Sequence, residues 1–193
     1  IDYNLKKNDK KSKFYQKTSD AINKKIVDYI DCGKIENIFK QKFTLNNNDT
    51  DFVSRLYNIL SKQNCTETEF HFQVSKRLFE MLPSSSSASK LGKISIKRKE
   101  FNQAIEYFDM AVESEVDIDK KAKYLLEKAD AYRISKNYRS AILTAKQSIE
   151  LKKNWGEAFI TIGNIYVAGA VNCSSDFEKS TVYWIAVDYF TKA

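Results

Sequence analysis

The side chains best suited to chemistry in this sequence are three cysteines and one histidine. Cys32, Cys65 and Cys173 have no CxxC spacing, and His71 is the single imidazole of the chain. A structural zinc site needs four close nitrogen or sulfur ligands, and a catalytic site keeps three. A cysteine nucleophile needs a basic partner, for which only His71 is available. We therefore predict no catalytic residue, no metal site and no cofactor, and we do not expect an enzyme.

The composition indicates an all-α protein. Of the 193 residues, 42% are hydrophobic and 30% are charged, which is typical of a soluble globular chain. The chain has only one proline and five glycines, the two residues that interrupt helices. No stretch approaches the ~18 consecutive apolar residues of a membrane span, and the first residues lack the apolar core of a signal peptide. Because the only methionines are Met81 and Met110, we expect a processed or truncated product that could have lost a targeting signal.

The positive charge is concentrated at one end of the chain. Residues 1–25 contain eight lysines and three aspartates, a balance of +5, which leaves +2 of the formal net charge of +7 for the other 168 residues. Lysine and arginine bind nucleic acid by neutralising phosphates. An excess confined to a tail is instead typical of a solvated chain end. We therefore predict a basic tail over residues 1–14 and expect no nucleic-acid partner.

Apolar residues recur at spacings of three and four in the first part of the chain. This periodicity predicts an amino-terminal helical bundle, or degenerate helix-pair repeats, over residues 15–83. Gly33 is expected to take the left-handed position after the end of the first helix. Thr66, three residues before Glu69, has the spacing of a capping box, and the serine run after Pro83 predicts a linker or a helix entry. The predicted helices cover residues 15–30, 34–43, 51–62 and 66–82.

From residue 84 onward the sequence repeats. "LGKISIKRKEFNQAIEYFDMAVES" aligns with "KADAYRISKNYRSAILTAKQSIEL" at an offset of 37, which places Ala104 on Ala141. A third copy opens with "FITIGNIY" at an offset of 34, which places Gly163 on Ala129 and therefore on Gly92. Small residues at these positions let helix backbones approach closely. The pattern resembles the tetratricopeptide repeat, a unit of about 34 residues built from two helices. The resemblance implies a right-handed α-solenoid of antiparallel helix pairs, with about three repeats over residues 84–193.

The third copy has a longer spacing between its two helices. Ala186, the small residue of its second helix, follows Ala141 by 45 residues, so about eleven residues are inserted near 168–179. Insertions in such arrays map to loops on one face, and loops of this length are often functional. We predict a compact loop that contributes a protein contact through Val171 and Phe177. Because the last pair lacks a polar cap, we expect the natural protein to continue.

The first helices of the repeats are predicted to form a concave groove. A mixture of apolar and charged positions suits a helix or an extended segment of another protein, anchored by apolar contacts inside a charged rim. The basic clamp with which some tetratricopeptide domains hold carboxyl-terminal peptides is absent, because its positions are taken by Ser89, Lys93, Glu127, Glu157 and Thr161. The predicted groove residues are Lys93, Ile96, Lys97, Leu126, Asp130, Arg133, Ile134, Glu157, Ile160, Asn164 and Val167.

A narrower resemblance covers nearly all of residues 28–193. The segments "DCGKIENIF", "NILSKQNCTETEFHFQV", "LFEMLPSSSSASKLG" and "WGEAFITIGNIYVAGAVNCSSDFEKSTVYWIAVDYFTKA" are similar to uncharacterised tetratricopeptide proteins of the Bacteroidota cell envelope. The resemblance implies a non-enzymatic scaffold that holds other proteins of a periplasmic or cell-envelope complex, with a cytoplasmic location as the alternative. Membrane association is expected only through partners or a missing anchor. The rival function is an RNA-binding helical-repeat protein.

The compartment decides the expected state of two cysteines. Cys32 ends one predicted helix and Cys65 precedes another, so both lie at element ends of the same bundle. In an oxidising envelope they are candidates for a disulfide, whose loop of about 33 residues would stabilise the fold by roughly 3 to 4 kcal/mol. In the cytosol two buried thiols are expected instead. If Cys32 and Cys65 form that disulfide, Cys173 would have no cysteine left to pair with.

Overall fold

The described part of the chain consists of helices joined by short turns, which confirms the all-α prediction. The computed structural model describes residues 31–193, so the predicted tail at 1–14 and the helix predicted over 15–30 lie outside the described residues. None of the described helices is long and apolar enough to cross a membrane. The helices are α1 (Cys32–Asn46), α2 (Thr50–Lys62), α3 (Glu69–Met81), α4 (Ser85–Lys97), α5 (Phe101–Ser114), α6 (Ile118–Ile134), α7 (Tyr138–Leu151), α8 (Gly156–Gly169) and α9 (Asp176–Thr191), with a 3₁₀ turn at Ala170–Asn172.

The chain divides into two compact units, and the division falls within the sequence of α3. The first unit ends at Val74 and the second runs over Ser75–Ala193, whereas the sequence suggested a boundary at residue 83. The early turns of α3 belong to the first unit, where the Phe70 ring packs edge-on against the ring of Phe43 at 5.7 Å. The last turn belongs to the second unit, where Phe79 packs against Tyr107 at 6.1 Å.

The start of α1 corrects the prediction for Gly33. The Asp31 carboxylate accepts a hydrogen bond from the Lys34 backbone N–H at 2.8 Å, and this bond holds the pKa of Asp31 below its ordinary value. Gly33 therefore lies in the first turn of α1, and no glycine of the described residues has a positive φ. The prediction was wrong because Asp31 is a preferred N-cap residue and begins a new helix at this point. That helix also continues to Asn46, past the predicted end at residue 43.

The cap of α3 falls two residues later than the capping-box spacing suggested. Thr68 Oγ1 accepts a hydrogen bond from the His71 backbone N–H at 3.1 Å, and α3 begins at Glu69. Thr68 therefore satisfies one of the free N–H groups of the first turn. The serine run behaves as a helix entry, because Ser84 and Ser87 form a reciprocal capping box at the start of α4.

Within the second unit, two turns repeat the same backbone geometry at the predicted offset of 37. Lys99 follows α4 and Lys136 follows α6, with φ of 63° and 65°. One residue later, Glu100 N–H donates to the Ser95 carbonyl and Asn137 N–H donates to the Tyr132 carbonyl, each at 2.9 Å. A left-handed residue with this bond closes a helix and reverses the chain. Helices α4 and α5, and then α6 and α7, therefore form equivalent antiparallel pairs.

Small residues lie where the paired helices touch, as the repeat pattern predicted. Ala104 and Ala141 are both completely buried on the second helices of their pairs. A Cβ atom added to Gly92 would lie 2.9 Å from the Phe108 ring of α5. A Cβ atom added to Gly163 would lie within 3 Å of the Phe190 ring of α9. The third pair, α8 and α9, therefore packs in the same phase as the first two.

The insertion near 168–179 is mostly helical, so the prediction of a compact loop was wrong. Helix α8 continues to Gly169, and α9 begins at Asp176, where Ser175 Oγ accepts a hydrogen bond from Glu178 N–H at 3.2 Å. Ala186 is the tenth residue after the start of α9, whereas Ala141 is the third after the start of α7, so seven of the inserted residues lengthen α9. The sequence after Ser175 contains no glycine or proline, so nothing interrupts a helix once this cap begins it.

Candidate protein-binding groove

The first helices of the three pairs, α4, α6 and α8, line a groove in the second unit. Its deeper recess has a volume of ≈ 250 Å³. A second recess follows the later turns of α6 and α8 and shares Asp130 and Thr161 with the first, so the two are continuous. The deeper recess is lined by Lys93, Ile96, Phe108, Lys123, Leu126, Glu127, Asp130, Glu157 and Thr161. The second is lined by Asp130, Arg133, Thr161, Asn164, Val167 and Ala168.

Eight of the eleven predicted groove residues line these recesses. Five lie in the deeper recess, namely Lys93, Ile96, Leu126, Asp130 and Glu157. The second recess adds Arg133, Asn164 and Val167. The other three, Lys97, Ile134 and Ile160, lie outside both. Lys97 and Ile134 are the last residues of α4 and α6, where the chain turns away. The role of the eight in binding stays a prediction.

Three residues that line the recesses were not predicted from the sequence, namely Lys123, Phe108 and Ala168. Lys123 precedes Leu126 by three positions and shares its helix face, so the helical period could have identified it. Phe108 belongs to a second helix and is completely buried. It reaches the floor of the recess only because Gly92 leaves space beside its ring.

Glu127 lines the deeper recess and already has two partners. Its carboxylate accepts a hydrogen bond from Ser89 Oγ at 2.6 Å and forms an ion pair with Lys93 Nζ at 2.7 Å. The Glu127 side chain is only 15% exposed, so these contacts offset the cost of removing a carboxylate from water. The three residues join α4 to α6 and fix the spacing of two first helices.

The remaining groove charges form a mixed rim. Asp130 Oδ1 accepts hydrogen bonds from Arg133, one turn later on α6, at 2.8 Å from Nε and 2.7 Å from the terminal nitrogen. Lys123 and Glu157 make no ion pair within residues 31–193 and are free to meet charges of a ligand. The lining of the deeper recess contains three carboxylates and two lysines. It is therefore slightly acidic, although the whole chain carries a formal charge of +7.

The two contact residues predicted in the insertion are exposed but lie on different elements. Val171 is 73% exposed on the 3₁₀ turn, and Phe177 is 82% exposed in the first turn of α9. Cys173 lies between them as a free, half-buried thiol. A contact through Val171 and Phe177 stays a prediction.

The first unit holds the other predicted cysteines and the histidine. Cys32 and Cys65 are bonded as a disulfide, with their Cα atoms 5.5 Å apart. His71 is completely buried, 3.3 Å from Ser61 Oγ and beside the Tyr57 ring. Within residues 31–193 no group of three or more His, Cys, Asp or Glu side chains is placed to hold a metal ion. The histidine is therefore a packed core residue.

Comparisons with known proteins identify the fold. No family model and no curated protein matches the chain. Two crystal structures of MamA align with TM-scores of 0.62 and 0.59 at 18% and 17% identity, covering 90% and 85% of this chain and 84% and 93% of theirs. The C-terminal part of a TPR repeat-containing protein from Cytophaga hutchinsonii aligns over 91% of this chain and 79% of that chain at 15% identity, but its TM-score of 0.33 is too low to support an argument. At these identities the MamA structures establish the fold alone. Together with the repeated helix pairs, they confirm that this chain has a tetratricopeptide-like solenoid fold.

Proposed function

We propose that this chain is a non-enzymatic scaffold that binds other proteins in a cell-envelope assembly. The observation that carries the proposal is the groove, in which Ile96 and Leu126 form an apolar floor between charged side chains of successive first helices. An apolar floor anchors the side chains of a helix or an extended segment, and a charged rim sets its orientation.

The charges of the groove favour a protein over RNA as the ligand. An RNA reader needs free basic groups on successive repeats and exposed rings on which bases can stack. Here Lys93 is paired with Glu127, and Arg133 is paired with Asp130. The single ring in the lining of the two recesses, Phe108, is completely buried. A phosphate backbone would therefore meet carboxylates that repel it.

The disulfide supports the envelope as the compartment. Disulfides persist in oxidising compartments such as the periplasm and are rare in the cytosol. The bond between Cys32 and Cys65 agrees with the resemblance to cell-envelope tetratricopeptide proteins. We therefore propose that the groove binds segments of other proteins in an oxidising compartment.

Site-specific photo-crosslinking in native cells tests the groove and the compartment together. One version of the protein carries a photoreactive residue in place of Asn164, which is exposed in the groove. The matched control carries it in place of Gln147, which is exposed on the second helix α7. We expect a defined protein adduct from position 164 only, recovered in the envelope fraction.

Four results would contradict the proposal. Equal adducts from positions 164 and 147, or none from 164, would remove the groove as the binding site. An adduct recovered only from the cytosol would contradict the proposed location in the cell envelope. Binding of single-stranded RNA at physiological salt with a Kd below about 1 μM, lost in Lys123→Glu, would replace the protein ligand by RNA.

A further inference from the structure

The charged side chains that line the groove differ in whether they already have a partner. Glu127 is paired with Lys93, and Asp130 is paired with Arg133, with a nitrogen–oxygen distance of 2.7 Å in both pairs. A ligand charge placed beside either pair would be attracted by one member and repelled by the other. These four side chains therefore contribute little to the choice between an acidic and a basic ligand.

Two lining side chains have no such partner. Lys123 on α6 and Glu157 on α8 are exposed and line the deeper recess. Neither forms an ion pair with the other or with any other side chain of residues 31–193. They occupy equivalent positions of the repeat, since each lies six residues before the small residue of its helix, Ala129 or Gly163. Two unpaired and opposite charges therefore lie at the same level of neighbouring first helices.

The separation of these two helices sets the spacing of charges expected in a ligand. Helix α6 contacts α8, and the axes of packed helices are ~8 to 10 Å apart. Side chains two positions apart on one face of an extended segment are separated by about 7 Å, and the long side chains of Lys123 and Glu157 can span the difference. An extended segment that crosses α6 and α8 can therefore place an acidic residue at Lys123 and a basic residue at Glu157.

An apolar surface lies beside these charges. Leu126 follows Lys123 by three positions on α6 and shares its helix face. Leu126 and Ile96 line the same recess as the two charges. A segment paired with Lys123 and Glu157 therefore has an apolar floor on which a third side chain can pack.

We propose that the groove recognises an extended protein segment with one acidic and one basic residue two positions apart, next to an apolar side chain. This inference rests on the proposed function, because it names the kind of segment that the groove binds. A segment with two acidic residues at these positions is repelled by Glu157, and a segment with two basic residues is repelled by Lys123. The two unpaired side chains therefore determine specificity.

A random peptide library displayed on phage tests this pattern with the whole chain as the target. We expect the unmodified chain to enrich peptides that carry an acidic and a basic residue two positions apart. Lys123→Glu should change the preference to two basic residues, and Glu157→Lys should change it to two acidic residues. The matched controls are Lys146→Glu and Glu150→Lys, at exposed positions of α7 outside both recesses, and they should leave the enriched pattern unchanged.

Titration of one enriched peptide, synthesised with a fluorescent label, measures the size of the effect. We expect Lys123→Glu to weaken binding of this peptide at least about tenfold. Replacing the acidic residue of the peptide by lysine should restore binding to that variant, because the ligand charge then matches the reversed groove charge. Circular dichroism verifies that every variant is folded.

Four results would overturn the inference: no enriched peptide, enriched peptides without the pair of charges, a pattern that Lys123→Glu and Glu157→Lys leave unchanged, or an equal change in the controls. If position 164 still forms an adduct with another protein, each of these results would leave the proposed function in place. The absence of that adduct, or an adduct with another segment of the same polypeptide, would contradict the proposed function and this inference with it.

Discussion

Replacing Gly92 by alanine tests the contact between the two helices of the first pair. The added Cβ atom would lie 2.9, 2.9 and 3.0 Å from three atoms of the Phe108 ring, well inside the ~3.5 to 4.0 Å of an ordinary carbon contact. Phe108 is completely buried in a cluster with Ala104 and Ala131. Moving the ring would therefore disturb its contacts with this cluster.

The expected magnitude is the difference between two opposing effects. Overpacking of a well-filled core costs typically ~1 to 3 kcal/mol. Replacing glycine by alanine inside a helix stabilises it by ~0.8 to 1 kcal/mol. We therefore expect Gly92→Ala to lower the free energy of unfolding by about 1 kcal/mol.

Gly163→Ala is the matched control, because its geometry is similar and its neighbour is free to move. A Cβ atom on Gly163 would come closest to Cε1 of Phe190, with Cδ1 at 2.7 Å and Cζ at 2.8 Å. The Phe190 side chain is 40% exposed, so the ring can swing toward solvent. The helix-propensity gain then offsets the lost contact, and we expect a change within about 0.5 kcal/mol.

Urea unfolding followed by tryptophan fluorescence measures both variants. Trp155 and Trp184 lie in the second unit with the two glycines. A shift in midpoint at constant m reports stability alone. A rise in the free energy of unfolding of Gly92→Ala by the full ~0.8 to 1 kcal/mol of helix propensity would contradict this expectation. A larger loss of stability in Gly163→Ala than in Gly92→Ala would contradict it as well.

Three further expectations concern the disulfide, one carboxylate and one buried hydroxyl. Cys65→Ser should cost roughly 3 to 4 kcal/mol and speed amide exchange over residues 31–74; unchanged exchange would contradict this. Ser85 Oγ donates to Glu115 at 2.7 Å and is the main reason why the pKa of Glu115 lies below 4.5. A carboxylate whose pKa is depressed in the folded state stabilises the fold at pH values above its unfolded pKa. This contribution to stability is lost as the pH falls through the folded pKa. Ser85→Ala should therefore raise the pKa of Glu115 in an NMR titration and reduce the loss of stability below pH 4.5. Ser148 Oγ is buried without a hydrogen-bond partner, so Ser148→Ala should raise stability by about 1 kcal/mol in urea unfolding; a decrease would indicate a partner.

The helix pairs could be predicted from the sequence because their signals are local and repeated. Small residues such as Ala104 and Ala141 recur at a fixed offset, and the period of the helix places them on one face. The same period located eight of the eleven groove residues on the correct side of the first helices. Lys97 and Ile134 were misplaced because helix periodicity does not show where a helix ends.

Other features depended on the competition between neighbouring signals. Asp31 favours the start of a helix as an N-cap residue, whereas Gly33, two residues later, favours the end of one. Only the folded chain shows that a helix starts here. The segment before Ala186 was predicted as a loop from its extra length. The cap at Ser175 makes it helical instead.

The sequence by itself determined the all-α class and the phase of the helix pairs, because both follow from residue types and their spacing along the chain. Only the tertiary structure decided that Glu127 is held by Ser89 and Lys93 from another helix. It also decided that the Phe190 ring lies against Gly163. Such properties depend on residues that are distant in sequence, 38 positions apart for Ser89 and Glu127. A local period gives the face on which a side chain lies, but not the residue that it meets there.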